Sequence, residues 1–363
     1  MRRLTRDVLL MAAATAVSRI FGLFRDAAIA DQFGASAAYD AFVVAFFVPH
    51  MLRQLLAEGA LSASLVPLYT EAMLHDQDEH AFISSVLSWL LVLFPVLVLA
   101  GVFLAPYYIP FLASGFDART LDVAIRMTQM LFPFIALVGI TAVYSALLHA
   151  HHRFAIPSLS PVMFNLGMIV GAVFLWRWFP SRPVYGLALG GLLGAAGQLL
   201  VELPAVRRTG YRFRLCVWPL HPQVRKLGRL MRPAAAALLV AQLNMLVDNK
   251  LASHLAVGSI SSLQYAMRLF QLPLGVVAVS VASALFPRLS AAGTLHDDVH
   301  FRALFRNGFS TSLALLLPAA AGLVVLARPI IALLFEHGAF AASDTAQTAS
   351  VLRLYAVGIV PYG

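Results

Sequence analysis

Long apolar runs recur from one end of this chain to the other, and that repetition leaves few folds open. A helix needs about 20 mostly apolar residues to cross a bilayer. Runs of that kind occupy 8–31, 38–69, 82–112, 123–149, 157–179, 184–206, 230–256, 262–287, 303–326 and 345–363. They are too long for barrel strands and do not alternate as lipid-facing strands do. The composition agrees, with 60% of the 363 residues hydrophobic, 12% charged and a mean hydropathy of +0.82, where soluble domains are roughly a quarter charged. An all-α polytopic membrane helix bundle follows. Arg2 and Arg3 precede the first run as they would in a signal peptide, but Arg19, Arg25 and Asp26 interrupt it. No clean small-residue cleavage site follows, so an uncleaved first helix is expected.

Charge between the runs orients them. Of 26 basic residues only Lys226 and Lys250 are lysines. The stretch 207–232 carries Arg207, Arg208, Arg212, Arg214, Arg225, Lys226, Arg229 and Arg232 without an acid, which the positive-inside rule makes cytoplasmic. Counting back six spans puts the amino terminus, with Arg2, Arg3 and Arg6, on the same side. The turns holding Arg153, and Arg288 with Arg302 and Arg306, fall there as well. Trp176 and Trp178 suit an interfacial belt at the opposite face. The expected location is a bacterial inner membrane, with the amino terminus cytoplasmic.

The same basic stretch divides the chain into a first lobe of six spans (1–206), a basic cytoplasmic linker or interfacial segment (207–229), and a second lobe of about four spans (230–363). Tyr39-Asp40-Ala41, Pro49 and Val66-Pro67-Leu68 in the first lobe echo Gln264-Tyr265-Ala266, Pro273 and Phe286-Pro287-Arg288 in the second. Two pseudo-repeated lobes with interrupted helices around a central cavity are a transporter pattern; two similar proline-containing apolar helices would give the same echo. The last run stops at Tyr362-Gly363 without a polar tail, so the second lobe is expected to be incomplete, the chain being a fragment of a longer one.

Charges within the spans carry the functional argument, because each costs roughly 2.5–3.5 kcal/mol at a bilayer centre and needs a partner or a purpose. At about 100° per residue, Ser18, Gly22, Arg25, Asp26 and Arg19 fall within an arc of about 120° on the first helix, opposite Ile20, Phe21, Leu23, Phe24 and Ala27. One acid cannot neutralise two arginines, although Asp26 paired with Arg19 on a face that merely packs is the simpler alternative. The second run adds Asp40, Arg53 and Glu58 around Pro49, which should bend the helix; Asp40 and Glu58 lie near its ends, where interfacial residues also sit. On the eighth run Arg268, Gln271 and Gly275 fall within about 40° of Gln264. The seventh carries Asn244 and Asp248, followed by Asn249 and Lys250; Asp248 suits a coupling proton or sodium ion, or simple pairing with Lys250 or an arginine.

Guanidinium stays charged and grips phosphate oxygens through a planar fork, so Arg19, Arg25, Arg53 and Arg268 point to an anionic ligand. Other signals are structural. His149, His151, His152 and Arg153 form a solvated turn for which a metal would need outside ligands. Glu71, Asp76, Asp78 and Glu79 make a polar loop, and Gly186, Gly190, Gly194 and Gly197 allow close helix packing. Cys216 is alone, which rules out an internal disulfide framework and a cysteine-rich metal site. No Walker A, His-Glu-x-x-His or Gly-x-Ser-x-Gly sequence occurs, so no enzyme, catalytic residue, metal site or organic cofactor is expected.

SRIFGLFRD (18–26), YDAFVVAFFVPHMLRQLLAEGALSASLVPLY (39–69), LLHAHHRFAIPSLSPVMFN (147–165), QYAMRLFQLPLGVVAVSVASALFPRLS (264–290) and RPIIALLFEHGAFAASDT (328–345) resemble the MurJ (MviN) lipid II flippases of the multidrug/oligosaccharidyl-lipid/polysaccharide exporter superfamily. The resemblance spans nearly the whole chain. It implies two six-helix lobes plus two helices forming a groove for the lipid tail, of which about ten helices are present. It implies that Arg19, Arg25, Arg53 and Arg268, with Ser18, bind the substrate, and that Asp26, Asp40 and Glu58 serve gating. Asp248 lies where the second lobe would bind a coupling cation, Na+ or H+. The implied activity is alternating-access transfer of lipid II from the cytoplasmic to the periplasmic leaflet. Membrane lipids and cell-wall synthesis proteins are further expected partners; no nucleic acid is. A drug or cation antiporter of the same superfamily, which should prefer acids and aromatics to arginines, and a non-transporting scaffold of cell-wall assembly are the competing readings.

Overall fold

A computed structural model describes residues 2–54, 60–74, 78–216, 221–295 and 297–362. All regular structure among them is helical: α1 (Arg2–Phe33), α2 (Ala37–Arg53), α3 (Ala60–Leu74), α4 (Glu79–Leu112), α5 (Ala118–Leu131), α6 (Phe134–Ala150), α7 (Ala155–Val173), a 3-10 turn (Leu175–Trp178), α8 (Tyr185–Arg207), α9 (Pro222–Ala252), α10 (Ser259–Thr294), α11 (Asp298–Phe335), α12 (Ala342–Val357) and the short α13 (Ile359–Tyr362). Among the described residues seven helical segments are long and apolar enough to cross a membrane, α5 and α6 together making one of them. The chain is a multi-pass membrane protein. At about 1.5 Å per residue the 34-residue α4 is about 51 Å long, well beyond the roughly 30 Å hydrocarbon core.

Helix ends follow local chemistry. The Asp78 carboxylate caps α4 by accepting the Ala81 N–H at 2.9 Å, and Glu79 adds negative charge to the same first turn, where the helix dipole favours it. The expected run 123–149 is interrupted after Leu131: Phe132 and Pro133 form a turn between α5 and α6, since proline has no N–H to continue the ladder. Of the expected run 38–69, α2 passes through Pro49 to Arg53 and α3 covers Ala60–Leu74, with 55–59 outside the described residues. In its echo in the second lobe, α10 runs unbroken through Pro273 and Pro287.

Contacts divide the chain into two units, residues 1–32 with 37–256, and residues 33–36 with 257–363. This division by packing differs from the division by span counting. The expected linker 207–229 is irregular only in its first part, and α9, which begins at Pro222, packs on α3 and α4 and so joins the first unit. In that unit Leu65, Tyr69, Phe82, Ile83, Val143 and Leu147 build the core of α3, α4 and α6. The tightest pair is α7 with α8. The backbone of Gly190 lies against Gly167 and Gly171, and a side-chain carbon at Gly194 would come 2.7 Å from the Phe164 Cα, so these glycines do allow close approach. In the second unit Phe270, Leu274, Leu316, Ala356 and Ile359 join α10, α11, α12 and α13. The turn 33–36 is held there by the Tyr265 hydroxyl donating to Gly34 O at 3.3 Å. Gly34 has φ +59° and an added Cβ would strike the Ala339 carbonyl, so only glycine fits.

The polar segments outside the spans are tied down. Residues 211–216 run along α4, where Ser84 and Ser88 accept the Arg214 and Cys216 N–H groups at 3.3 and 2.8 Å. The buried Tyr211 phenol meets Ser84 Oγ at 3.1 Å, and burial pushes it up to about 12. Lys226 pairs with Glu71 at 2.7 Å. In the histidine turn, His151 Nδ1 lies 2.9 Å from Leu147 O, and Arg153 donates to the carbonyls of Ala205 and Arg208 at 3.3 Å.

Candidate functional site

The polar face of α1 is the nucleus of the site. Arg25 and Asp26 are both buried, 8% and 5% exposed, although neighbours in a helix point about 100° apart. The guanidinium folds back so that Nε and Nη2 donate to Asp26 Oδ1 at 2.9 and 2.6 Å. Its Nη1 donates to Asn165 Oδ1 on α7 at 3.0 Å, and Asn165 Nδ2 in turn donates to Ser18 O at 3.1 Å. The amide nitrogen passes Gly22 at ordinary contact distance, 3.9 Å from where a Cβ would lie. The cluster therefore pairs charge with charge and adds an amide acceptor for one N–H of Nη1, as a charge in a low-dielectric interior requires. Asp26 accordingly neutralises Arg25, whereas the simpler reading of the helix alone had paired it with Arg19. Arg19 is exposed, and Ser18 enters the cluster through its backbone carbonyl.

The other expected residues distribute as follows. Asp40 is 3% exposed, in the first turn of α2, where the helix dipole favours its charge. Arg53 closes the same helix and is half-buried. Next to it, Gln54 Oε1 accepts from Gln242 Nε2 of α9 at 2.6 Å, joining the end of α2 to the middle of α9. Glu58 lies outside the described residues. Asp248 is exposed on α9 with no ion pair among the described residues. Lys250 is not its partner: the ammonium sits 4.0 Å from the centre of the Phe111 ring on α4. In the second unit Arg268 is half-buried on α10, between the buried Ala266 and Phe270.

Sequence reasoning missed Asn165, Gln54 with Gln242, and Glu202, which is 0% exposed on α8. The signal for Glu202 was present, a carboxylate inside an apolar run. Asn165 and the glutamines are uncharged and carry no such signal; only a partner across a helix interface distinguishes them.

Intramembrane charge held by cross-helix partners in a bundle of spanning helices marks a multi-pass membrane transporter. The fold agrees, for the chain is similar over 97% of its length to a multidrug MATE family transporter of the MOP superfamily in an inward-facing conformation (TM-score 0.77, 16% identity, 81% of that chain covered). A family model described as "Lipid II flippase MurJ" matches residues 29–363, and the chain belongs to that family. Similar relatives include the lipid II flippase MurJ of Burkholderia cenocepacia, 34% identical over 98% of this chain and 70% of its own length. The probable lipid II flippase MurJ of Thermotoga maritima is 35% identical over 98% and 71%. A solved structure of lipid II flippase MurJ in an inward closed conformation superposes with a TM-score of 0.83 at 29% identity, covering 98% of this chain and 73% of that one.

Proposed function

We propose that this protein is a lipid II flippase that moves its cargo from the cytoplasmic to the periplasmic leaflet of a bacterial inner membrane by alternating access, with the amino terminus cytoplasmic. The observation that carries the reading is family membership across residues 29–363, together with a polar α1 face whose Arg25 is held by Asp26 and Asn165. Arg19, Arg25, Arg53 and Arg268 serve as the anionic-cargo set: guanidinium binds pyrophosphate oxygens through two parallel bonds and keeps its charge at any working pH. Asp26 positions Arg25, and Asp40 and Glu58 act in gating. Asp248, exposed on a spanning helix, is the acid offered to a coupling cation, Na+ or H+. Proteins of cell-wall synthesis are the partners such a flux would feed. Complementation tests the reading. In the full-length protein each of Arg19→Ala, Arg25→Ala, Arg53→Ala and Arg268→Ala should fail to rescue a flippase-depleted strain at normal expression. Growth of all four variants would overturn the assignment of these arginines.

A further inference from the structure

Glu202 is a buried carboxylate that the arginine cluster does not use. It lies on α8, 0% exposed, where α6 and α7 pack against that helix. Ser145 Oγ of α6 is 2.8 Å from Oε1, and the buried Ser160 of α7 is the other hydroxyl that faces it. Among the described residues Oε2 has no hydrogen-bond partner, and no cation lies within ion-pair distance of the carboxyl.

The charges around it do not compensate. No ionisable side chain occurs on α7. On α6 the candidates are Tyr144, next to Ser145, and His149 one turn beyond. Arg153, past the end of α6, is turned to the carbonyls of Ala205 and Arg208. Arg207 closes α8, more than a turn away and exposed. On α5, Asp122 pairs with Arg126 and with Arg182, which is bonded to Tyr185 at the far end of α8; the exposed Arg119 lies in the first turn of that helix. In the 3-10 turn, Arg177 lies over the Trp176 ring, beyond the start of α8.

An ionised carboxylate here would have neutral hydroxyls as its nearest partners and bare protein on one oxygen, which desolvation forbids. A neutral acid fits the same atoms. With the proton on Oε1, the hydroxyl donates to Ser145 Oγ, which can accept as readily as donate, and Oε2 becomes a carbonyl oxygen whose missing partner costs far less than a missing partner for a charge. A cavity of about 460 Å³ is lined by Tyr144 and Leu203, the chain neighbours of Ser145 and Glu202, with Val206, Arg207, Tyr211 and Arg212; the carboxyl itself is sealed from it in the packed state.

We propose that Glu202 is a proton-binding site of the first unit, loaded while α6, α7 and α8 are packed and unloaded when these helices part and water reaches the carboxyl. On unloading the O–H bond breaks and the proton passes to the water that has reached the carboxyl, which then solvates the carboxylate left behind. This goes beyond the cargo assignment and stands whatever the cargo is.

The test is pH-difference infrared spectroscopy on the detergent-purified full chain. A protonated-carboxyl band should persist at neutral pH and vanish in Glu202→Gln, and Ser145→Ala, which removes the hydroxyl partner, should shift its frequency. The thermal midpoint should fall as pH rises from about 5 to about 8, because the folded state then holds a proton the unfolded chain has released; Glu202→Gln should lose that slope while keeping its fold. If the glutamine variant does not fold, the Ser145→Ala shift decides alone. Absence of the band at neutral pH, or a band unchanged in frequency by Ser145→Ala, overturns the proposal. Neither measurement involves lipid transport, so its failure is distinguishable from failure of the flippase reading.

Discussion

Arg25 is held by two different kinds of partner, and each predicts a different failure. The Asp26 carboxylate supplies charge and accepts two of its N–H groups, while Asn165 orients the remaining Nη1 and ties the same knot to the α1 backbone at Ser18. Lysine keeps the charge but offers no planar fork, so Arg25→Lys should lose complementation almost as completely as Arg25→Ala, with expression unchanged. Asn165→Leu keeps the ion pair and removes the amide's hydrogen bonds to Arg25 Nη1 and Ser18 O. It should lower stability by about 1–3 kcal/mol, measured as a fall in thermal midpoint in detergent. The arginine and its acid were legible in the sequence because charge inside an apolar run stands out. Asn165 was not, being 140 residues away on a helix whose rotation the sequence does not state.

At the scale of elements, α7 and α8 are joined by glycine faces and α9 is anchored by its first residues. A branched side chain at Gly194 would meet the Phe164 backbone at 2.7 Å, so Gly194→Val should force the helices apart. The expected cost is about 1–3 kcal/mol, typical of overpacking, read from the thermal midpoint; Gly322→Ala, where nothing lies within 4 Å, is the control. His221 caps α9, its Nδ1 accepting the Gln223 N–H at 3.3 Å. Burial holds its imidazole below the usual value of 6.5, with Asp78 opposing. Since the folded state then takes up its proton later than the unfolded chain, this contribution is present above pH 6.5 and is lost as pH falls through the folded value. Measured against His221→Asn, which keeps a cap but cannot titrate there, the protein should therefore lose a part of its midpoint on acidification below pH 6.5, opposing the Glu202 contribution in that range.

For the whole molecule the open quantity is direction. The positive-inside argument predicts that the basic stretch 207–232 and the amino terminus share one face, with Trp178, 71% exposed, at the other. In a Cys216→Ser background, Thr209→Cys should react with a membrane-impermeant maleimide only after the cells are opened, whereas Ser181→Cys should react in spheroplasts. The reverse pattern would invert every side assignment made for cargo entry and release. The chain covers 70% of the Burkholderia cenocepacia relative and 73% of the solved flippase, and the topology measurement applies equally to that longer form.

Period and composition alone were enough for the helical membrane bundle, the approximate course of its helices and the polar stripe of α1, because each depends on properties local to one helix: length, apolar content and rotation at 3.6 residues per turn. Packing decided the rest. The pairing of Asp26 with Arg25, the amide brace from Asn165, the attachment of α9 to the first unit and the burial of Glu202 all depend on which faces of different helices meet. No repeat within a single segment encodes that. The polar stripe on α1 was therefore visible in the residues, while its use as a closed, braced ion pair depended on a helix far along the chain that supplies the matching amide.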